Sequence, residues 1–216
     1  MKIFFFALLI MFCANASAQK TVQLFNGKNL DNWKIVLSDN SKQPHEVFFV
    51  SEEVLHVTGT PFGYIRTLEK YKNFELTLEW RWAEEPANSG VLLHIAESDT
   101  VWPHCIEAQL QHQNAGNFVL MNAGAKATIN GKQYWINDGD NWVSSISRTK
   151  NSSEKPVGEW NRYRIVSNNG QIWYYVNDVL QNSAEQVSPF GGFIGLQSEG
   201  GTIQFKNIEI NKFAEP

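Results

Sequence analysis

Between Phe74 and Trp82 every even position is apolar and every odd one polar, in the order Phe-Glu-Leu-Thr-Leu-Glu-Trp-Arg-Trp. A period of two held over nine residues predicts a strand with one buried face and excludes an amphipathic helix. Glu79 and Arg81 then point the same way. Two further runs follow after the turn-like stretch from Glu85 to Gly90: Val91-Leu92-Leu93-His94-Ile95, and the alternating Cys105 to Gln111, in which Glu107, Gln109 and Gln111 share a face. Laid side by side in one antiparallel sheet, these strands would gather Glu79, Arg81, His94, Glu107, Gln109 and Gln111 on one surface. That is more polar chemistry than a solvated sheet face requires, and it makes the surface the candidate site.

The rest of the chain repeats the pattern. Strand-like runs recur at short spacing between Gly, Asn, Asp and Pro, and no 3.6-residue periodicity persists for three turns. Val47 to Val50 and Val54 to Val57 read as a hairpin, Tyr64 to Thr67 as the next strand, and Trp160 to Val166 and Gln171 to Val176 as a later pair. From Thr202 to Ile210 the alternation slips at Asn207, as a bulge would cause. The long, Asn- and Gly-rich stretch from His112 to Lys155 reads as loops and a short hairpin beside the site, with Trp135 and Trp142 as sugar platforms. About a dozen strands without helices predict an all-β fold of two packed antiparallel sheets.

The chain opens with Met1-Lys2, an uncharged run from Ile3 to Phe12 and Ala16-Ser17-Ala18, the layout of a cleaved signal peptide over residues 1–18. Residues 19–216 then form a single domain, periplasmic or secreted, since the apolar run is too short to span a bilayer, which takes about 20 residues. Without Cys13 in the leader, Cys105 is the one thiol left, so no internal disulfide can form. Lys and Arg number 18 against 22 Asp and Glu, a net charge of −4, with no basic stripe to neutralise phosphates. Nucleic acid and membrane insertion are therefore excluded as expectations. Eight Trp residues point to sugar as the partner, and a monomer or weak dimer is expected.

Three kinds of chemistry fit these residues. Glu79 and Glu107 could act as acid and base on a glycosidic bond if held about 5 to 10 Å apart. Glu107-Ala108-Gln109 lacks a second carboxylate two residues on, which argues against an ordinary retaining mechanism on that strand. A divalent metal ion is a candidate cofactor, with His94, His104, His112, Glu79 and Glu107 as potential ligands, although no close His-x-His or His-Glu-x-x-His spacing supports it. Cys105 beside His104 could be nucleophilic, but a lone small thiol is more often buried, and no Gly-x-Ser-x-Gly elbow occurs.

Six segments carry a resemblance: Leu24 to Trp33, Phe74 to Arg81, Asn88 to Val91, Glu107 to Gln109, Gly158 to Asn161 and Gly195 to Gly201. In this order they resemble the 3-keto-disaccharide hydrolase family, concanavalin A-like jelly-roll domains. The resemblance spans essentially the whole mature chain. It implies a jelly-roll sandwich, secretion, an oligosaccharide or glycoside substrate, and a site lined by Glu79, Arg81, Asn88, Ser89, Glu107, Gln109, Gln197 and Glu199. Many members carry Asp-His where this chain has Ser198-Glu199. The chemistry implied is proton abstraction from C2 of a 3-keto sugar, β-elimination of the glycosidic oxygen and hydration, with Glu107 or His94 as base and Arg81 or a divalent cation holding the enolate. A sandwich that keeps the Trp platforms without chemistry, a carbohydrate-binding module, is the alternative.

Overall fold

The computed structural model describes residues 21–139 and 141–213; the expected signal peptide lies outside them. In chain order the described residues form β1 (Thr21–Gln23), β2 (Trp33–Leu37), the one-turn helix α1 (Pro44–Val47), β3 (Phe48–Ser51), β4 (Val54–Val57), β5 (Gly63–Thr67), β6 (Phe74–Trp82), β7 (Gly90–Ile95), β8 (Cys105–Gln109), β9 (Phe118–Met121), β10 (Lys126–Ile129), β11 (Lys132–Trp135), β12 (Val143–Ile146), β13 (Asn161–Asn168), β14 (Gln171–Val176), β15 (Val179–Ser188), β16 (Phe193–Ser198) and β17 (Ile203–Lys212). Two antiparallel sheets result, as a jelly-roll sandwich requires. One has the order β11-β10-β15-β14-β13-β6-β17-β4-β3 with β1 added beside β17, and the other β12-β9-β8-β7-β16-β5-β2.

Strand β6 is central to the larger sheet. Its even residues are buried and its odd ones half-buried, as the alternation predicts. Phe74, Leu76, Leu78, Trp80 and Trp82 enter the main core, where they join Tyr163 and Ile165 of β13 and Phe205 and Ile210 of β17. The slip at Asn207 is a bulge: the register of β17 against β6 shifts between Lys206 and Glu209, and Asn207 takes a φ of 51°.

The smaller sheet differs, because its strands are covered on both faces. Val91, Leu93, Ile106, Ala108 and Leu196 face the main core. Tyr64, Leu92, Ile95, Cys105, Val119, Met121 and Phe193 form a second apolar cluster on the outer side. The segment from Glu97 to His104 folds back over that side as a strap. Asp99 of the strap binds Arg66 of β5 through Nε and Nη2 at 3.0 and 2.9 Å and also pairs with Lys34 of β2. Trp102 packs on the outer cluster.

One expectation fails here, and it moves the site. Strand β6 pairs with β13 and β17, whereas β7 and β8 pair with each other in the opposite sheet. Glu79 and Arg81 therefore lie on the outer face of the larger sheet, across the whole sandwich from Glu107.

Candidate functional site

On the outer face of the smaller sheet, register places Tyr64 of β5 directly beside Gln197 of β16, and Gly90 of β7 beside Gln109 of β8. Glu107 stands opposite Leu92, two pairs along the same ladder and so on the same face. Its carboxyl leans over the bare backbone of Gly90: a Cβ built there would fall 2.4 Å from Glu107 Oε1. Gly90 is thus needed for the absence of a side chain.

Three polar atoms at this place are buried without a protein hydrogen-bond partner: Glu107 Oε1, Gln197 Oε1 and Asn88 Oδ1. Buried polar groups are normally paired, so several orphans on one patch mark a place shaped for something other than the fold. Glu107 is 4% exposed and Gln197 1%, while Asn88, Gln109 and Glu199 are half-buried and form the mouth. Asn88 makes bridges to both Glu199 and Gly200, and its side chain hydrogen-bonds the Glu199 carboxyl. Ser89 Oγ donates to the Gln197 carbonyl at 2.8 Å, tying β7 to β16 behind the patch.

The electrostatics follow from what is missing. Burial, and after it the neighbouring Glu199 charge, push the Glu107 carboxyl up to about 8. Glu199 is raised too, again by burial, but its hydrogen bond from Asn88 draws it back. The less buried Glu199, whose charge raises Glu107, therefore ionises before it. Burial also raises Tyr64 to about 12, so its hydroxyl stays a donor.

Of the residues expected at the site, the structure brings together Glu107, Asn88, Ser89, Gln109, Gln197 and Glu199. Gln109 does not hold the Glu107 carboxyl by its amide as alternation suggests; its Oε1 accepts the Leu110 and Gln111 backbone amides. Gln111 is exposed and accepts from Asn114. Trp135 sits on β11 at the edge of the larger sheet, away from this face.

The expected base His94 is also misplaced. A φ of 56° and a register break turn it out of the alternation. Its Nε2 meets Ser167 Oγ of β13 at 2.9 Å, its Nδ1 accepts from the Gly191 amide at 2.9 Å, and its ring lies between Phe74 and Phe190. Burial lowers it to about 4, so it is a neutral link between the two sheets. Glu79 pairs with Lys206 and accepts from Asn207, while Arg81 binds Gln204 and covers Trp160; the two do not satisfy each other.

These positions also scatter the metal ligands considered above. His112 faces Glu154 at 3.6 Å, His94 joins the sheets, and Glu79 is on the far side. Among the described residues no group of three or more His, Cys, Asp or Glu side chains is arranged to hold a metal ion. Cys105 is buried against Met121 Sδ, and burial raises its thiol well above the usual range, the reverse of a nucleophile.

Sequence reasoning named Asn88 and Ser89 but missed Gly90, whose bare backbone the Glu107 carboxyl covers; nothing in the sequence set Gly90 opposite Gln109 of β8.

Comparison with known proteins places this arrangement. The model of the 3-keto-alpha-glucoside-1,2-lyase-like domain matches residues 20–211. The 3-keto-disaccharide hydrolase of Bacteroides thetaiotaomicron is 23% identical over 242 residues, which cover 88% of this chain and 77% of that one. Two crystal structures from Parabacteroides distasonis, each provisionally named a glycosyl hydrolase, superpose with TM-scores of 0.66 and 0.64 at 19% and 25% identity. They cover 94% and 90% of this chain, and 99% and 100% of their own. No helix among the described residues is long and apolar enough to cross a membrane. The chain belongs to the family of 3-keto-alpha-glucoside-1,2-lyase-like domains, carbohydrate-active proteins of glycoside-hydrolase type.

Proposed function

We propose that this protein, exported to the periplasm or beyond, cleaves the glycosidic bond of 3-keto-glycosides by β-elimination and hydration on the outer face of the smaller sheet. The observation that carries the reading is the Glu107 carboxyl, buried against Gly90, lacking a partner at Oε1 and facing a second raised carboxyl, Glu199. Two carboxyls of unequal pKa supply a base and an acid at the same pH.

A ketone at C3 acidifies the proton on C2. Glu199, the carboxyl of the pair that ionises first, removes that proton, and the electron pair passes through C2 to the C3 oxygen as an enolate. The side-chain amide of Gln197, buried beside Gly90 and the Glu107 carboxyl, donates to that oxygen. The enolate then re-forms the C3 ketone as C1=C2 forms and the C1–O bond breaks, and protonated Glu107 gives its proton to the departing glycosidic oxygen. Hydration runs the roles in reverse: Glu107, now ionised, takes a proton from water as it adds to C1, and Glu199 returns its proton to C2. Each carboxyl ends as it began.

The purified protein should release the leaving group from 3-keto-glucosides, with solvent deuterium appearing at C2 of the recovered 3-keto sugar. Release from plain glycosides without deuterium at C2 would replace elimination by direct displacement. Sugar affinity with no release from any keto or plain glycoside would leave a carbohydrate-binding module. A rate abolished by a chelator would move the enolate from Gln197 to a bound cation.

A further inference from the structure

The strap that covers the outer face of the smaller sheet ends in an aromatic ledge that the elimination chemistry does not use. Trp102 at its end lies 5.8 Å from Phe62 and 5.3 Å from Trp142, centroid to centroid, with interplanar tilts of 57° and 37°. Three separate segments supply these rings: the approach to β5, the strap, and the approach to β12. Phe62 and Trp142 remain 44% and 46% exposed, and Val143 beside them is 37% exposed. Aromatic surface left open at this density is costly to solvate and in a folded domain marks a contact surface.

Its position gives the surface an occupant. Phe62 immediately precedes Gly63, which pairs with Ser198, and the Pro61 carbonyl accepts a hydrogen bond from Ser198 Oγ at 3.0 Å. Glu199 is the next residue, so the ledge begins at the mouth of the site. It is also held in place: Asn122 donates to the Trp102 carbonyl from Nδ2 and to the Trp142 carbonyl from its backbone amide, both at 2.6 Å. Trp102 rests on the apolar cluster of the sheet below. Fixed rings spare a ligand the cost of ordering them.

We propose that Phe62, Trp102 and Trp142 form a subsite for the leaving group of the substrate and select leaving groups that present a flat ring. This rests on the reading of the Glu107 and Glu199 face as the place of bond cleavage. The shared chemistry is an apolar ring face, which either a second pyranose, through its axial C–H bonds, or a phenolic ring provides. A methyl leaving group cannot reach the ledge.

The test compares Trp142→Ala with wild type on three 3-keto-glucosides whose leaving groups are methanol, glucose and a phenol. The kcat/KM ratio of a ring-bearing substrate to the methyl one should fall about tenfold in the variant, chiefly through KM. Loss with glucose alone assigns the ledge to a second sugar, and loss with phenol alone assigns it to an aryl group. An unchanged ratio for both ring substrates overturns the proposal. Should no keto-glucoside turn over, the elimination reading fails and the ledge is judged by binding: tryptophan fluorescence titrated with phenyl β-glucoside and with cellobiose. Quenching by either ligand that disappears in Trp142→Ala supports the subsite, and absence of quenching by both overturns it.

Discussion

The two outer faces of the sandwich are both rich in charge, yet they treat it in opposite ways. On the larger sheet three carboxylates have a cation within reach: Glu79 with Lys206, Glu75 with Arg164, Asp178 with Arg162. Open clefts of about 470 and 370 Å³ border Glu79 and Arg162 there. On the smaller sheet Asp99 pairs with Arg66 and Lys34 and pins the strap, and among the described residues neither Glu107 nor Glu199 forms an ion pair. Polar density and open volume therefore point to the wrong face. What distinguishes the candidate site is the missing partner, because an uncompensated buried carboxyl costs stability that a fold would ordinarily remove.

The largest effect should come from exchanging the acids. Glu107→Gln removes the proton donor while keeping shape, and kcat should fall by about 10² or more, the size expected for losing general acid–base catalysis, with the circular dichroism spectrum unchanged. Glu79→Gln should stay within about twofold of wild type. The reverse pattern would move the chemistry to the larger sheet and undo the comparison.

Next in size is His94, which belongs to neither face. His94→Ala removes a buried ring packed between Phe74 and Phe190 and leaves Ser167 and the Gly191 amide without it. Thermal unfolding should show a loss of about 2 to 4 kcal/mol, with kcat of the folded fraction altered only a few-fold. A kcat loss as large as that of Glu107→Gln at unchanged stability would restore the imidazole as the base.

How much of this could be read from the sequence divides along the same line. Alternation in β6, β13 and β17 gave the strands, their buried faces and the bulge at Asn207, because those features depend on neighbours two residues apart. It could not tell which sheet a strand joins. Glu79 and Glu107 occupy equivalent places in equivalent patterns, and only pairing with β13 and β17, about 80 to 130 residues further along the chain, separates them. His94 was misread for a local reason: its left-handed φ breaks the period of two within a run that looks continuously apolar. The strap escaped notice because Asp99, Trp102 and their partners Arg66 and Phe62 come from loops and strands with no shared periodicity. The resemblance to a family did locate Asn88, Glu107, Gln197 and Glu199, which the fold brings together.

A smaller effect sharpens the electrostatic side of the contrast. Glu107 is raised in the folded state to about 8 from the 4.5 of an exposed carboxyl, so between those values the folded protein holds a proton that the unfolded chain has released. Its contribution is full below about pH 4.5 and is lost as pH rises through 8, at up to about 1.4 kcal/mol per pH unit. His94, lowered to about 4 from 6.5, has the opposite sign: the unfolded chain takes up the extra proton, and stability falls as pH drops from 6.5 towards 4. Between pH 4.5 and 6.5 the two slopes oppose each other, so denaturant unfolding from pH 4 to 9 should show a plateau there, with a fall towards pH 4 and another between 6.5 and 8. In Glu107→Gln the alkaline limb should flatten while the acid limb remains. An alkaline limb equal to wild type would mean that Glu107 is ionised and compensated in the folded protein.

The smallest effect belongs to the larger sheet. Glu79 and Lys206 stand 3.5 Å apart with side chains 30% and 31% exposed, so solvent screens their attraction. Lys206 also lies 4.2 Å from the centroid of Trp160, whose ring takes Arg81 at 4.6 Å, and removing the ammonium therefore disturbs more than the ion pair. A double-mutant cycle of Glu79→Gln and Lys206→Met separates the two terms, since the contact with Trp160 is lost equally in both arms that carry the Lys206 change. The coupling should be about 0.2 to 1 kcal/mol in low salt and should fade towards zero in 1 M salt. A coupling above about 2 kcal/mol that survives salt would show a desolvated pair, and the larger sheet would then hold charge under constraint as the smaller one does.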